Sequence, residues 1–171
     1  MAAVRIEGVR SLLSFPNPVN EKAARAVAGL VLAVCIVALA TSQYWLLAPL
    51  AAGFLARVLT GPRLSPFGQI ATRVIAPRLG APHHVPGPPK RFAQAMGLAV
   101  TSTGAVLALG FAQEGGAAVV LVAMIVASAL ESIFAVCLGC KAFAGLMRLG
   151  LVPAAVCAEC ANVAARPATG R

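Results

Sequence analysis

AARAVAGLVLAVCIVALAT, residues 23–41, is an apolar run whose only charge is Arg25. As an α-helix rising about 1.5 Å per residue it would be close to 30 Å long, the thickness of a bilayer's hydrocarbon core. Three more apolar runs follow, at Tyr44–Leu59, Phe92–Phe111 and Ala117–Cys137. The second is shorter and contains Pro49 and Gly53, which predicts a kink or a different tilt.

The segments around these runs alternate in charge. The N-terminal arm carries Arg5, Arg10, Lys22 and Arg25, and the turn at Ser42–Gln43 carries no charge. The long central loop carries Arg57, Arg63, Arg73, Arg78, Lys90 and Arg91; the turn Gln113–Gly116 carries only Glu114; the tail carries Lys141, Arg148, Arg166 and Arg171. All 14 basic residues therefore fall on one side if the runs are four membrane-crossing helices. Cationic segments resist translocation during insertion, so the expected topology has both termini and the central loop cytoplasmic, in an inner membrane. Tyr44 and Trp45 stand at the opposite boundary, where amphipathic rings prefer the headgroup layer.

Composition points the same way. The chain is 60% apolar and 11% charged, against about a quarter charged in soluble domains. A length of 171 residues leaves little for a separate soluble domain once four spans are counted. The expectation is one integral membrane domain: a cytoplasmic arm over 1–22, a bundle over 23–140 with a cytoplasmic loop at 60–91, and a cysteine-containing tail over 141–171. Residues 1–16 lack the apolar core of a cleavable leader, so the first helix is expected to stay as an anchor. The net charge of +9 flanks apolar spans with few interleaved aromatics, which favours anionic lipid headgroups and argues against nucleic acid.

Between the spans the sequence carries local signals. Asn17 before Pro18 reads as a helix cap with proline in the first helical position; Asn20 offers an alternative cap, with Glu21 near the positive helix end. Phe67, Ile70, Val74 and Ile75 recur at helical spacing opposite Gln69, Thr72 and Arg73, predicting an interfacial helix over Pro66–Ile75. Residues 81–91, with four prolines, read as a stiff extended connector, and His83 and His84 as solvated loop residues. Small residues along the third and fourth runs suit close helix packing, and Cys35, alone in the first, behaves as a small hydrophobe.

Two features carry chemistry. Glu131 lies within the fourth run, where an ionisable side chain usually faces the bundle and pairs; Arg25 and Arg57 are the expected partners, with Asn17, Asn20 and Glu21 completing a polar cluster. The second feature is Cys137-Leu138-Gly139-Cys140, then sixteen residues, then Cys157-Ala158-Glu159-Cys160. Permanent disulfides are rare in a reducing cytoplasm, so two readings compete. In one, the four thiols form a structural zinc or iron–sulfur site that ties the tail down. In the other, the pairs exchange disulfides or persulfides with a soluble thiol partner, with no cofactor. Lys141 beside Cys140 and the helix-like, apolar segment between the pairs favour thiol chemistry. A small-solute transporter is a further alternative, resting on Glu131 alone.

The stretches Pro16–Glu21, Gly61-Pro62-Arg63 with Ser65–Gly68, Pro86–Gln94 and Cys137-x-Gly139-Cys140 together resemble an uncharacterised bacterial domain-of-unknown-function family of four-pass membrane proteins, over roughly residues 14–162. The resemblance implies an inner-membrane bundle associated with thioredoxin-like proteins or sulfurtransferases, and assigns no residue roles. The resulting expectation is an all-α membrane protein: a four-helix transmembrane bundle with a short interfacial helix and a cysteine-rich cytoplasmic tail. Its reactive groups would be Cys137, Cys140, Cys157 and Cys160.

Overall fold

The structure, a computed structural model, describes residues 15–157 and Cys160. The basic arm before Phe15 and the end of the tail, including Arg5, Arg10, Arg166 and Arg171, lie outside the described residues.

The chain is predominantly helical. A two-residue strand β1 (Val19–Asn20) leads into α1 (Glu21–Ala40); a 3₁₀ turn at Tyr44–Leu46 leads into α2 (Leu47–Thr60). The central segment α3 consists of Pro66–Ile70, a π-helical stretch at Ala71–Ile75 and a last turn at Ala76–Arg78. Strand β2 (His84–Val85) then precedes α4 (Gly87–Ala105), which runs on through a π-helical stretch at Val106–Gly110. Helix α5 (Glu114–Phe134) is followed closely by α6 (Leu138–Arg148), and a 3₁₀ turn at Ala154–Val156 ends the described run.

Three helices are long and apolar enough to cross a membrane: Glu21–Ala40, Gly87–Gly110 and Glu114–Phe134. The expected fourth, Tyr44–Thr60, is apolar but shorter. The three long helices mark a multi-pass membrane protein. Their outward faces agree: Val37, Val119, Val126 and Ile133 are more than half exposed, forming an apolar exterior that water would disfavour and lipid would not.

Helix α1 packs along α5, α2 along α4, and α4 also meets α5 and α6. The core follows helical spacing. Val27, Val31, Cys35 and Ala38 of α1 face Ala117, Leu121 and Met124 of α5, with Leu47, Leu50 and Phe54 from α2. Cys35 is fully buried there, as expected of a small apolar residue.

Local chemistry shifts several expected boundaries. Helix α1 begins at Glu21, not at Pro18. Asn20 is its cap, accepting from the Lys22 amide at 3.1 Å, and the Asn17–Pro18 peptide is cis. The stretch expected as an extended connector is more ordered than that. Val19 and Asn20 pair antiparallel with Val85 and His84. Helix α4 starts at Gly87 because Pro88 and Pro89 occupy first-turn positions, where a missing N–H costs nothing. A helix forms over Pro66–Ile75, where the interfacial one is expected, and extends to Arg78; Ser65 caps it, with Pro66 in the first turn.

Candidate functional site

The first cysteine pair is built by a chain reversal. Helix α5 stops at Phe134, Ala135 takes a left-handed conformation (φ 56°), and the Val136 amide donates to the Leu130 carbonyl at 2.9 Å. Cys137 therefore lies beyond the helix expected to contain it. It caps α6 instead, its Sγ accepting from the Cys140 amide at 3.2 Å. A negative sulfur at this position meets an amide N–H and the positive end of an 11-residue helix, which stabilise a thiolate. Cys137 and Cys140 are joined as a disulfide, as are Cys157 and Cys160, each with Cα atoms 5.2 Å apart.

Gly139, between the first two cysteines, is packed against α4. A Cβ there would come within 2.6 Å of both Ala93 Cα and Ala93 Cβ. Phe143, one turn on, packs against Phe92 with ring centroids 5.6 Å apart. Helix α6 is thus docked on the bundle rather than free as a tail. Cys137 is buried and Cys140 half-buried.

Cys137, Cys140 and Cys160 line one cavity of about 440 Å³, bordered also by Lys90, Lys141 and Arg148. The two pairs are therefore brought to the same space. Among the described residues, no three His, Cys, Asp or Glu side chains are clustered so as to hold a metal ion.

Glu131 faces the bundle, as expected of a carboxylate at that depth; the group bonded to it is neither Arg25 nor Arg57, although Arg57 stands close enough to interact with its charge. Lys90 Nζ donates to Glu131 Oε1 at 2.9 Å, with both side chains largely buried. Glu131 and Cys137 line a second cavity of about 280 Å³, together with Ser128 and Gln94. Arg25 instead donates to the carbonyls of Ser132 (3.0 Å) and Ile133 (3.1 Å) at the C-terminal end of α5, where a cation complements exposed carbonyls.

The expected polar cluster is divided. Asn17 Oδ1 accepts from the Gly87 amide at 2.8 Å, Asn20 caps α1, and Glu21 pairs with His83 at 2.6 Å in an exposed position. His83 is thus exposed yet partnered. These interactions gather sequence-distant stretches around Pro16. A Cβ on Gly61 would collide with the Pro16 ring, and one on Gly87 would lie 2.6 Å from the Pro16 carbonyl oxygen. Gly61 also holds a positive φ of 65° as the C-cap of α2, so glycine is demanded twice over.

Two basic residues matter more than sequence reasoning gave them credit for. Lys90, expected in an extended connector, stands on the first turn of α4, which Pro88 and Pro89 mark as a helix start. Arg57 is only 4% exposed. It donates to Gln94 Oε1 (2.7 Å) and Ser65 Oγ (2.9 Å), and its guanidinium lies 4.4 Å from the centre of the Phe54 ring. The signal for it was its place at helical spacing after Leu47, Leu50 and Phe54.

Residues 19–148 match the family model described as "Domain of unknown function (DUF4395)". The chain belongs to the DUF4395 family. No curated protein matches it, and no solved structure does. The DUF4395 match takes in the Lys90–Glu131 pair, Arg57 and the Cys137–Cys140 disulfide, and stops short of Cys157 and Cys160.

Proposed function

We propose that the chain is a membrane-anchored dithiol protein that exchanges disulfides with a soluble thiol partner, such as a thioredoxin-like protein or a sulfurtransferase. What supports this most is the placement of Cys137. It caps α6, is joined to Cys140, and shares a cavity with Cys160 of the second pair.

The exchange needs no cofactor. A partner thiolate attacks one sulfur of the Cys137–Cys140 disulfide; that S–S bond breaks, a mixed disulfide forms and the other cysteine leaves as a thiolate. The partner's second thiol then attacks the mixed disulfide. The partner ends oxidised, and the protein's pair has gained two electrons and two protons. In reverse, Cys137 is the attacking thiolate because the start of α6 stabilises it, and Cys140 resolves the intermediate. Cys157 and Cys160 act as the second pair, passing the disulfide onward through the shared cavity.

In this reading Tyr44–Thr60 completes a four-pass bundle in a bacterial inner membrane. Both termini and the dithiol face the cytoplasm, and the basic segments rest against anionic headgroups. Cytoplasmic disulfides are typically transient and catalytic, which suits a relay.

The test uses the full chain purified in neutral detergent, with metal analysis and thiol counting before and after mild oxidation. The relay predicts metal-free protein whose pairs oxidise and reduce reversibly, and a Cys140→Ser variant that accumulates a mixed disulfide through Cys137. About one zinc per chain, with all four thiols protected until chelator is added, would overturn it.

A further inference from the structure

Arg57 and Lys90 line a third cavity, of about 260 Å³, which shares Ala24, Val27 and Gln94 with the cavity that holds Glu131 and Cys137. It lies among β1, α2, α3 and the start of α4, and exposed His84 at its edge connects it to the surface. Its charged groups are deeply placed: Arg57 is 4% and Lys90 7% exposed. No carboxylate lines it among the described residues.

Two features of this cavity are incomplete without an occupant. The first is a hydrogen-bond donor. Arg57 Nε and Nη1 are satisfied by Gln94 and Ser65, while Nη2 is buried with no partner. A buried donor left unmade costs about 1–3 kcal/mol, more for a charged group. The second is charge. Arg57, Lys90 and Glu131 form the buried ionic group, with two cations and one anion. Glu131 is bonded to Lys90 and reaches the Arg57 guanidinium only through space, as a charge without a hydrogen bond. The three side chains together keep one net positive charge, which is expensive to bury, and an anion would relieve both defects at once.

We propose that this cavity is a binding site for a tetrahedral oxyanion, held chiefly by Arg57 Nη2 with Lys90 contributing charge. With Nε and Nη1 already engaged, Nη2 supplies the remaining donor, and a charge-assisted N–H···O bond to a sulfate- or phosphate-type oxygen is among the stronger hydrogen bonds. The site has the same chemistry for a free inorganic oxyanion and for the phosphate of an anionic lipid. It does not rest on the cysteines, although it shares Gln94 with the cavity bordered by Cys137.

The experiment is a melting-temperature titration of the full chain in neutral detergent. Sodium sulfate and inorganic phosphate form one arm, phosphatidylglycerol in mixed micelles a second, and sodium chloride at matched ionic strength the control. The expected result is a saturating rise with an oxyanion and none with chloride, since a ligand that binds only the folded state stabilises it by mass action. Sulfate or phosphate saturating identifies a free anion; phosphatidylglycerol alone saturating identifies a headgroup. Arg57→Gln should weaken half-saturation by about tenfold or more, from the loss of a charge-assisted bond. Cys137→Ser/Cys140→Ser should leave it unchanged, which separates this site from the relay. Should Arg57→Gln fail to fold, Arg57→Lys, which keeps the charge and loses the Nη2 donor, serves in its place. No saturating shift in the unmodified chain with any oxyanion, or the same half-saturation in the Arg57 variant, would overturn the proposal.

Discussion

Lys90 Nζ and Glu131 Oε1 lie 2.9 Å apart, joining the first turn of α4 to the last turn of α5. The pair stands between the cavity of the cysteines, which Lys90 lines, and the central cavity, which Glu131 lines. Losing one member leaves a largely buried charge unpartnered. Glu131→Met or Lys90→Met should therefore each destabilise the folded chain by about 3 kcal/mol. Replacing both, as Lys90→Met with Glu131→Met, should recover most of the loss. Equilibrium unfolding in detergent of the four chains checks this. Single losses that simply add in the double variant would mean the ion pair is not coupled.

Gly139 should not tolerate a methyl group. Its Cβ would fall 2.6 Å from the backbone of Ala93, which a packed helix cannot vacate cheaply. We expect Gly139→Ala to cost about 2 kcal/mol and to lift α6 from α4. The lift should expose the first pair, so Cys137 should react faster with a water-soluble maleimide after reduction. Unchanged stability and labelling would show that α6 is not held by this approach.

Arg25 serves the end of α5 rather than Glu131. Arg25→Gln removes the cation from the Ser132 and Ile133 carbonyls and should cost about 1 kcal/mol, with Arg25→Lys intermediate. The rate at which Cys137 forms mixed disulfides should barely change, because the cap of α6 is intact. Thermal unfolding alongside single-turnover thiol exchange separates the two effects.

The orientation is testable on intact and everted membrane vesicles. Glu114 opens α5 at the end away from the cysteines. A Glu114→Cys chain with the native cysteines changed to serine should label with an impermeant reagent only from the periplasmic face. Lys141→Cys in the same background should label only from the cytoplasmic face. Reversed labelling would invert the topology and move the dithiol to the opposite compartment.

Much of the architecture was legible along the chain because its causes are local. Apolar runs of bilayer length mark Glu21–Ala40, Gly87–Gly110 and Glu114–Phe134; the amphipathic spacing of Phe67, Ile70 and Val74 marks α3; Cys-x-x-Cys marks a dithiol whatever the fold. These depend on neighbours a few residues away, and periodicity reports them. Expectation and structure part where one residue type has two uses. Pro18 opens a cis turn instead of a helix, while Pro88 and Pro89 open a helix instead of an extended connector.

What only the tertiary structure decided is which distant groups meet. That Glu131 should be paired follows from the cost of a carboxylate at that depth; that Lys90 is the partner depends on how α4 and α5 are rotated and offset. The same holds for Asn17 reaching the Gly87 amide, for Arg25 reaching the end of α5, and for Arg57 being buried with a free donor. A helix presents each side chain at about 100° to the next, so a small change in rotation or a one-residue shift would exchange every such partner. Sequence determines that these charges must be satisfied, and packing determines by what.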